Sequence, residues 1–305
     1  MGTPLLLATV GEILTEKAGH INLGVEGMMM IGAVTGFLVG FATNDPLLAA
    51  LAAGMSGFLS SQIFAFLTVS LKANQLVAGF VLTIFLTGLA NLIGSNYGNA
   101  TLSSEFTQKI GAVAVPGLSR IPLIGPALFH QSIIVYLGIF IAVSAWVYLN
   151  KTRFGLSLKV VGENPSFADD AGIPVAVYQY VHIGIGGFLS GMAGACLTLV
   201  IVPRWQETVT AGMGWIAIAL VIFATWNPSR AIFGAYLFGA LKGLAFKFQG
   251  TSIEIGGASL SLPSQILDLF PYIITIAVLI AITLGKRREN QPPRWLGKAY
   301  FREER

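Results

Sequence analysis

Residues 151–177 read KTRFGLSLKVVGENPSFADDAGIPVAV, the longest polar segment in the interior of a chain that is otherwise almost continuously apolar. Within it Asn164 can cap a short helix, Pro165 suits the first helical position, and Gly172 followed by Pro174 ends the helix about two turns later. So short a helix does not hold together alone in water, because nucleation costs more than its few hydrogen bonds return. The segment therefore needs something to dock against. A soluble partner on one side of a membrane is the first functional expectation.

The membrane follows from composition. Of 305 residues, 54% are hydrophobic and 10% charged, and the mean hydropathy is +0.75. A soluble domain carries about a quarter charged residues, so the chain is read as an integral membrane protein with membrane lipid around it. The net charge of +4 is expected to reflect basic residues gathered on one side of the bilayer, and nucleic-acid binding is not implied. The single cysteine, Cys196, lies in an apolar run and reads as a small buried hydrophobe. Residues 4–10 are apolar but follow no basic stretch, so no cleavable signal peptide is expected.

Apolar runs near the length of a membrane crossing occur at residues 25–43, 47–70, 76–97, 131–149, 178–202, 211–226, 231–248 and 266–285. Residues 4–14 form a further, shorter apolar element, so the fold expected is an all-α, polytopic helical bundle of about 8 to 9 membrane segments. With the loop before residue 25 placed in the cytoplasm, parity puts Lys17, Lys72, Lys151, Arg153, Lys159, Arg230, Lys286, Arg287 and Arg288 inside, together with Arg294, Lys298, Arg302 and Arg305. Only Lys109, Arg120 and Arg204 then fall outside. This asymmetry predicts a cytoplasmic loop at 151–177 and a cytoplasmic tail at 286–305.

Between the first two apolar elements lies TEKAGHINLGVEG, residues 15–27, with Glu12 just ahead of it. It is either a plain cytoplasmic turn or a broken helix bordering a pathway, since irregular backbone at membrane depth survives only when buried in protein or facing a watery cavity. Gly32, Gly36 and Gly40 recur at four-residue spacing, as do Gly187 and Gly191, which predicts close helix packing. Residues 100–131, with Pro116, Pro122 and Pro126, are expected to form an outer loop over the bundle. Lys242 falls inside an apolar run, where a charge costs about 3 kcal/mol unless it snorkels, pairs or faces water. An interior or cavity position is therefore expected for it.

Several chemistries are missing. There is no G-x-x-x-x-G-K-[ST] phosphate loop, so ATP hydrolysis would have to come from another chain. His20, His130 and His182 lack metal-binding spacing, so neither a metal site nor a cofactor is expected. No convergent catalytic set is visible in the spans, and no intramembrane pair of carboxylates is evident, which argues against ion-coupled transport.

Three stretches resemble one family: GHINLGVEGM at 19–28, GENPSFADDAGI at 162–173 and GMGWIAIALVIFATWNPSRAIFGAYLFG at 212–239. Together they are similar to permease subunits of bacterial ABC importers for simple sugars, branched-chain amino acids and nucleosides, most closely the nucleoside-type branch. The resemblance runs over nearly the whole chain. It implies a single permease domain over residues 1–305, of the type II importer kind, in the bacterial inner membrane. It also implies an ATP-binding cassette ATPase subunit, a second permease in a heterodimer, and an extracytoplasmic binding protein or lipoprotein. Carried over residue by residue, the ATPase-coupling set is Gly162, Glu163, Asn164, Pro165, Phe167, Ala168, Ala171 and Gly172. Phe167, Ala168 and Ala171 would touch the ATPase, while Asp169 and Asp170 would face basic groups or solvent. One departure is visible: family members often carry a longer lead before the first broken element, which here begins almost at Met1.

Nucleosides are the expected cargo, a simple sugar such as ribose or galactose the first alternative, and a secondary transporter acting alone the second. A nucleoside suits an aromatic stacking face and amide hydrogen bonds. On that ground Asn22, Glu26, Asn91 and Trp226 are candidates for the substrate pathway, against the alternative that they cap helices or sit at interfaces.

Overall fold

The computed structural model describes residues 1–98, 100–114, 130–248, 252–255, 258–261, 269, 273, 276, 277, 280 and 291–301. Its helices, in chain order, are α1 (Gly2–Lys17), α2 (Val25–Thr43), α3 (Pro46–Ala65), α4 (Gln75–Gly94), α5 (Ser104–Lys109) and α6 (Ile133–Lys151). After these come α7 (Arg153–Glu163), α8 (Pro165–Asp170), α9 (Val175–Cys196), α10 (Met213–Phe223) and α11 (Pro228–Phe248). Both α3 and α9 run on into a π-helical turn, Phe66–Ser70 and Leu197–Ile201. Two small antiparallel pairs accompany the helices, β1 (Ala112–Ala114) with β2 (His130–Ser132) and β3 (Ser252–Ile255) with β4 (Ala258–Ser261).

Among the described residues, five helical stretches are long and apolar enough to cross a bilayer: Val25–Thr43, Pro46–Ser70, Gln75–Tyr97, Ile133–Lys151 and Val175–Ile201. They coincide with five of the expected runs. The run at 211–226 is realised as the 11-residue α10, and that at 231–248 as α11. The run expected at 266–285, and the basic residues 286–288, lie outside the described residues except for single positions. So does most of the proline-bearing segment, residues 115–129.

Helix α9 is the centre of the bundle and packs on α1, α2 and α3. Apolar burial gives no net drive between helices in lipid, so association rests on close van der Waals packing. That packing is visible where α2 crosses α9. A Cβ added at Gly32 would stand 2.3 Å from the Gly191 carbonyl oxygen. Gly32→Val should therefore force the two helices apart and cost about 3 kcal/mol, which a lowered thermal midpoint in detergent would report.

Facing outward, α4 shows Val77, Phe80, Val81, Ile84 and Phe85, and α6 shows Ile133 and Phe140, all more than half exposed. Helix α1 differs. Nearly every residue of it is buried, although it is too short to count as a span. At one end of the bundle α5 sits beside Asn44, where the Lys109 ammonium donates to the Asn44 carbonyl oxygen at 3.1 Å. Arg204 bridges to Thr101 by backbone pairing. At the other end Lys17, Lys159 and Arg230 line a single cavity. Lys109 and Arg204 thus lie apart from Lys17, Lys159 and Arg230. Lys242 is half-buried on α11.

Candidate functional site

Two places carry chemistry: a broken, polar interior, and a short helix on the surface. The interior begins where α1 stops. Residues 18–24 are not helical, yet mostly buried, so their backbone groups need partners from elsewhere. The Asn22 N–H donates to Glu12 Oε1 at 2.9 Å, and Asn22 Oδ1 accepts from the Gly24 N–H at 2.9 Å. From α4, Gln75 Oε1 accepts from the Ile21 N–H at 2.9 Å, and the Thr83 hydroxyl donates to the Leu23 carbonyl at 2.8 Å. Residues 18–24 are thus a buried, internally hydrogen-bonded break and not an exposed turn.

Glu26 opens α2 and reaches across to the segment before α10. Its Oε1 accepts from the Thr210 hydroxyl at 2.6 Å and the Gly212 N–H at 2.9 Å, and its Oε2 from the Gly214 N–H at 2.6 Å. Helix α10 has no side-chain cap of its own, so Glu26 caps it from a distance. At the far end of α10, Thr225 and Trp226 both adopt left-handed backbone, φ 52° and 55°. Such a conformation costs about 1–2 kcal/mol for each L-residue and needs outside support. It has that support: the Trp226 indole N–H donates to Glu16 Oε2, and the Arg230 guanidinium to the Thr225 hydroxyl.

One expectation is overturned. Glu12 and Glu16, one turn apart on α1, are 1% and 3% exposed, so a buried carboxylate pair exists where none was expected. The carboxylates are buried because α1, though short, is a core helix with nearly every residue covered. Both carboxylates already serve the fold, Glu12 at Asn22 and Glu16 at Trp226. The pathway candidates Asn22, Glu26 and Trp226 likewise spend polar atoms on internal bonds. Asn91 differs: its Oδ1 is buried without a hydrogen-bond partner, as is Thr87 Oγ1 one turn earlier on α4.

The surface helix is α8. Asn164 Oδ1 accepts from the Phe167 N–H at 3.1 Å, Pro165 is the first helical residue, and Gly172 lies at φ +77°. The Gly172 N–H donates to the Asp169 carbonyl and the Ile173 N–H to the Ala168 carbonyl, both at 2.9 Å, which is a Schellman ending. Glu163, Asn164, Phe167, Ala171 and Gly172 are exposed, with Phe167 at 60%. Gly162, Pro165 and Ala168 are buried. This corrects the expectation that Ala168 touches a partner. It packs with Val161, Val175 and Tyr300, because a six-residue helix must turn one face inward to be held at all.

Sequence reasoning missed the role of the tail. Residues 291–301 strap α7, α8 and the break together: the Trp295 N–H donates to the Gly162 carbonyl at 3.0 Å, the Gly297 N–H to the Gly19 carbonyl at 3.1 Å, and the Tyr300 hydroxyl to Asp169 Oδ2 at 3.1 Å. Three aromatic residues, Trp295, Tyr300 and Phe301, in a largely basic and polar tail were the available signal. Nearby, burial pulls the Lys72 and Lys159 amines below their usual range.

The family model for the branched-chain amino acid transport system / permease component matches residues 1–279. The chain belongs to this permease family. It is a transport subunit and a multi-pass membrane protein. Among its relatives, the "Putative glucose ABC transporter permease protein TsgC13" of Haloferax volcanii is 39% identical over 91% of this chain and 87% of that one. The nucleoside ABC transporter permease protein NupC of Lactococcus lactis is 37% identical, covering 93% of this chain and 90% of that one. The guanosine ABC transporter permease protein NupQ of Bacillus subtilis is 32% identical, covering 90% and 87%. A second guanosine permease of that organism, NupP, matches at 26%, covering 94% and 82%.

Proposed function

We propose that this permease is one domain over residues 1–305, forms the translocation pathway of an ATP-binding cassette importer for nucleosides, and is driven by a separate ATPase that grips α8. The observation that carries the coupling half is α8 itself: a helix capped at both ends that turns Phe167 outward while Ala168 anchors it from behind. In this reading Glu163, Asn164, Phe167, Ala171 and Gly172 meet the ATPase, and Gly162, Pro165 and Ala168 hold the helix against the bundle. The end carrying Lys17, Lys159, Arg230 and the tail faces the cytoplasm.

The similarity to NupC and NupQ supports a nucleoside cargo. The matches to both NupP and NupQ support pairing with a second, different permease. An extracytoplasmic binding protein would deliver the substrate. A sugar is the second reading, favoured by the 39% identity to the Haloferax protein. Along the pathway Asn91 is the foremost candidate, because its amide oxygen has no internal partner, and Asn22, Glu26 and Trp226 frame the breaks on which the pathway depends.

Competition in an uptake assay decides the cargo. Unlabelled guanosine or adenosine should suppress labelled nucleoside uptake while glucose and ribose do not, and Asn91→Ala should raise the apparent KM severalfold with normal membrane insertion. Suppression by the sugars alone would shift the reading to sugar import, and an unchanged KM would remove Asn91 from the pathway.

A further inference from the structure

Residues 293–300 run from the broken interior to the surface helix α8. They hold their own shape through two consecutive turns, with the Leu296 N–H donating to the Pro293 carbonyl and the Lys298 N–H to the Trp295 carbonyl, both at 3.1 Å. At the inner end the Gly297 N–H donates to the Gly19 carbonyl, and a Cβ added at Gly297 would stand 3.2 Å from Ile21 Cδ1. Gly19 and Ile21 belong to the break at residues 18–24, whose other backbone groups are held by Glu12, Gln75 and Thr83. Midway, the Trp295 N–H meets the Gly162 carbonyl in the last turn of α7, where a helix has no donor of its own left to offer. At the outer end Tyr300 is 9% exposed and packs with Val161, Ala168 and Val175, while its hydroxyl donates to Asp169 Oδ2.

A tail that only capped helix ends would need the bonds at Gly19 and Gly162 and nothing more. Tyr300 goes further, since its ring backs Ala168, the residue that anchors α8 behind the exposed Phe167. From Gly297 to Tyr300 is three residues, about 10 Å of chain at full stretch. So short a link holds little slack, and a shift of α8 away from the break must either carry the break with it or part a contact at one end. We propose that residues 293–300 are the positioning element that makes α8 and the break move together, with Gly297 holding the inner end and Tyr300 the outer. The proposal rests on the reading of α8 as the helix that the ATPase grips, and adds the segment by which that grip reaches the interior.

The test measures guanosine uptake and ATP hydrolysis on the same proteoliposomes, made from the full-length permease purified with its ATPase. Tyr300→Ala frees the outer end of the link. Gly297→Val frees the inner end, because Gly297 lies at φ +80°, where a β-branched residue is strained. Each variant should keep at least half of the ATP hydrolysis yet lower the uptake per ATP by about fivefold, and the double variant should do no worse than the weaker single, since a link cut at one end is already cut. Tyr300→Phe keeps the ring and should keep most of the ratio. Should either first variant fail to insert, the milder Tyr300→Leu and Gly297→Ala give the same reading. Uptake and hydrolysis that fall together, at the parent ratio, would show a merely structural role and overturn the proposal. So would a lowered ratio in Tyr300→Ala with the parent ratio in Gly297→Val, which would confine Tyr300 to α8. Uptake by the parent that needs no ATP would instead overturn the importer reading and the link with it, whereas parent ratios in the variants of an ATP-driven parent overturn the link alone.

Discussion

Gly172→Val is expected to lower ATP-driven uptake by about tenfold or more while leaving the protein inserted and as heat-stable as the parent. Gly172 sits at φ +77° with nothing within 4 Å of where a Cβ would stand, so the substitution meets open space and its whole effect is on the backbone. Forcing an L-residue into that region costs about 1–2 kcal/mol, and a β-branched side chain more, which corresponds to roughly a tenfold shift toward an opened helix end. The bonds at risk are those that close α8, from Gly172 to Asp169 and from Ile173 to Ala168. Opening them would detach the face that carries Phe167 from the anchor at Ala168. Gly172→Asn should retain most of the uptake, because asparagine tolerates the left-handed region. Equal uptake by the valine variant and the parent would mean that the shape of α8 does not matter to transport.

Glu26→Ala should be the most damaging single change in the interior. It strips the acceptor from the Thr210 hydroxyl and from the Gly212 and Gly214 N–H groups, all partly or fully buried. Each orphaned donor costs about 1–3 kcal/mol, so a loss of at least 3 kcal/mol is expected. The thermal midpoint in detergent should fall by many degrees, and the yield of folded protein with it. Glu26→Gln keeps one acceptor oxygen and should fall between the two. If Glu26→Ala melts with the parent, Glu26 does not hold the segment before α10 in place.

The two predictions mark where the sequence could be read and where it could not. Residues 162–173 declared α8 because capping is local: Asn164, Pro165 and Gly172 each act within a few residues, so their types alone place the helix ends. Long apolar runs such as residues 25–43 were legible for the same reason, since length and composition suffice for a span. The connections of Glu26 were not legible, because its partners lie more than 180 residues away and no spacing rule joins them. Glu12 and Glu16 were hidden by the shortness of α1, which resembles a surface lead-in until α9 and α11 are seen packed around it. Ala168 shows the limit of carrying a motif over whole: in a six-residue helix a small residue can be the anchor, and only packing shows which face turns inward.

The central claim is that this permease works only with a separate ATP-binding subunit docked on α8. It is tested most directly by purifying the protein from its native membrane, identifying what accompanies it, and measuring nucleoside uptake in vesicles with and without ATP. Co-purification of an ATP-binding subunit, its loss in the Phe167→Ala variant, and uptake that stops without ATP are the predicted results. Uptake that persists without ATP, with no such subunit attached, would contradict the claim and return the protein to the class of transporters that act alone.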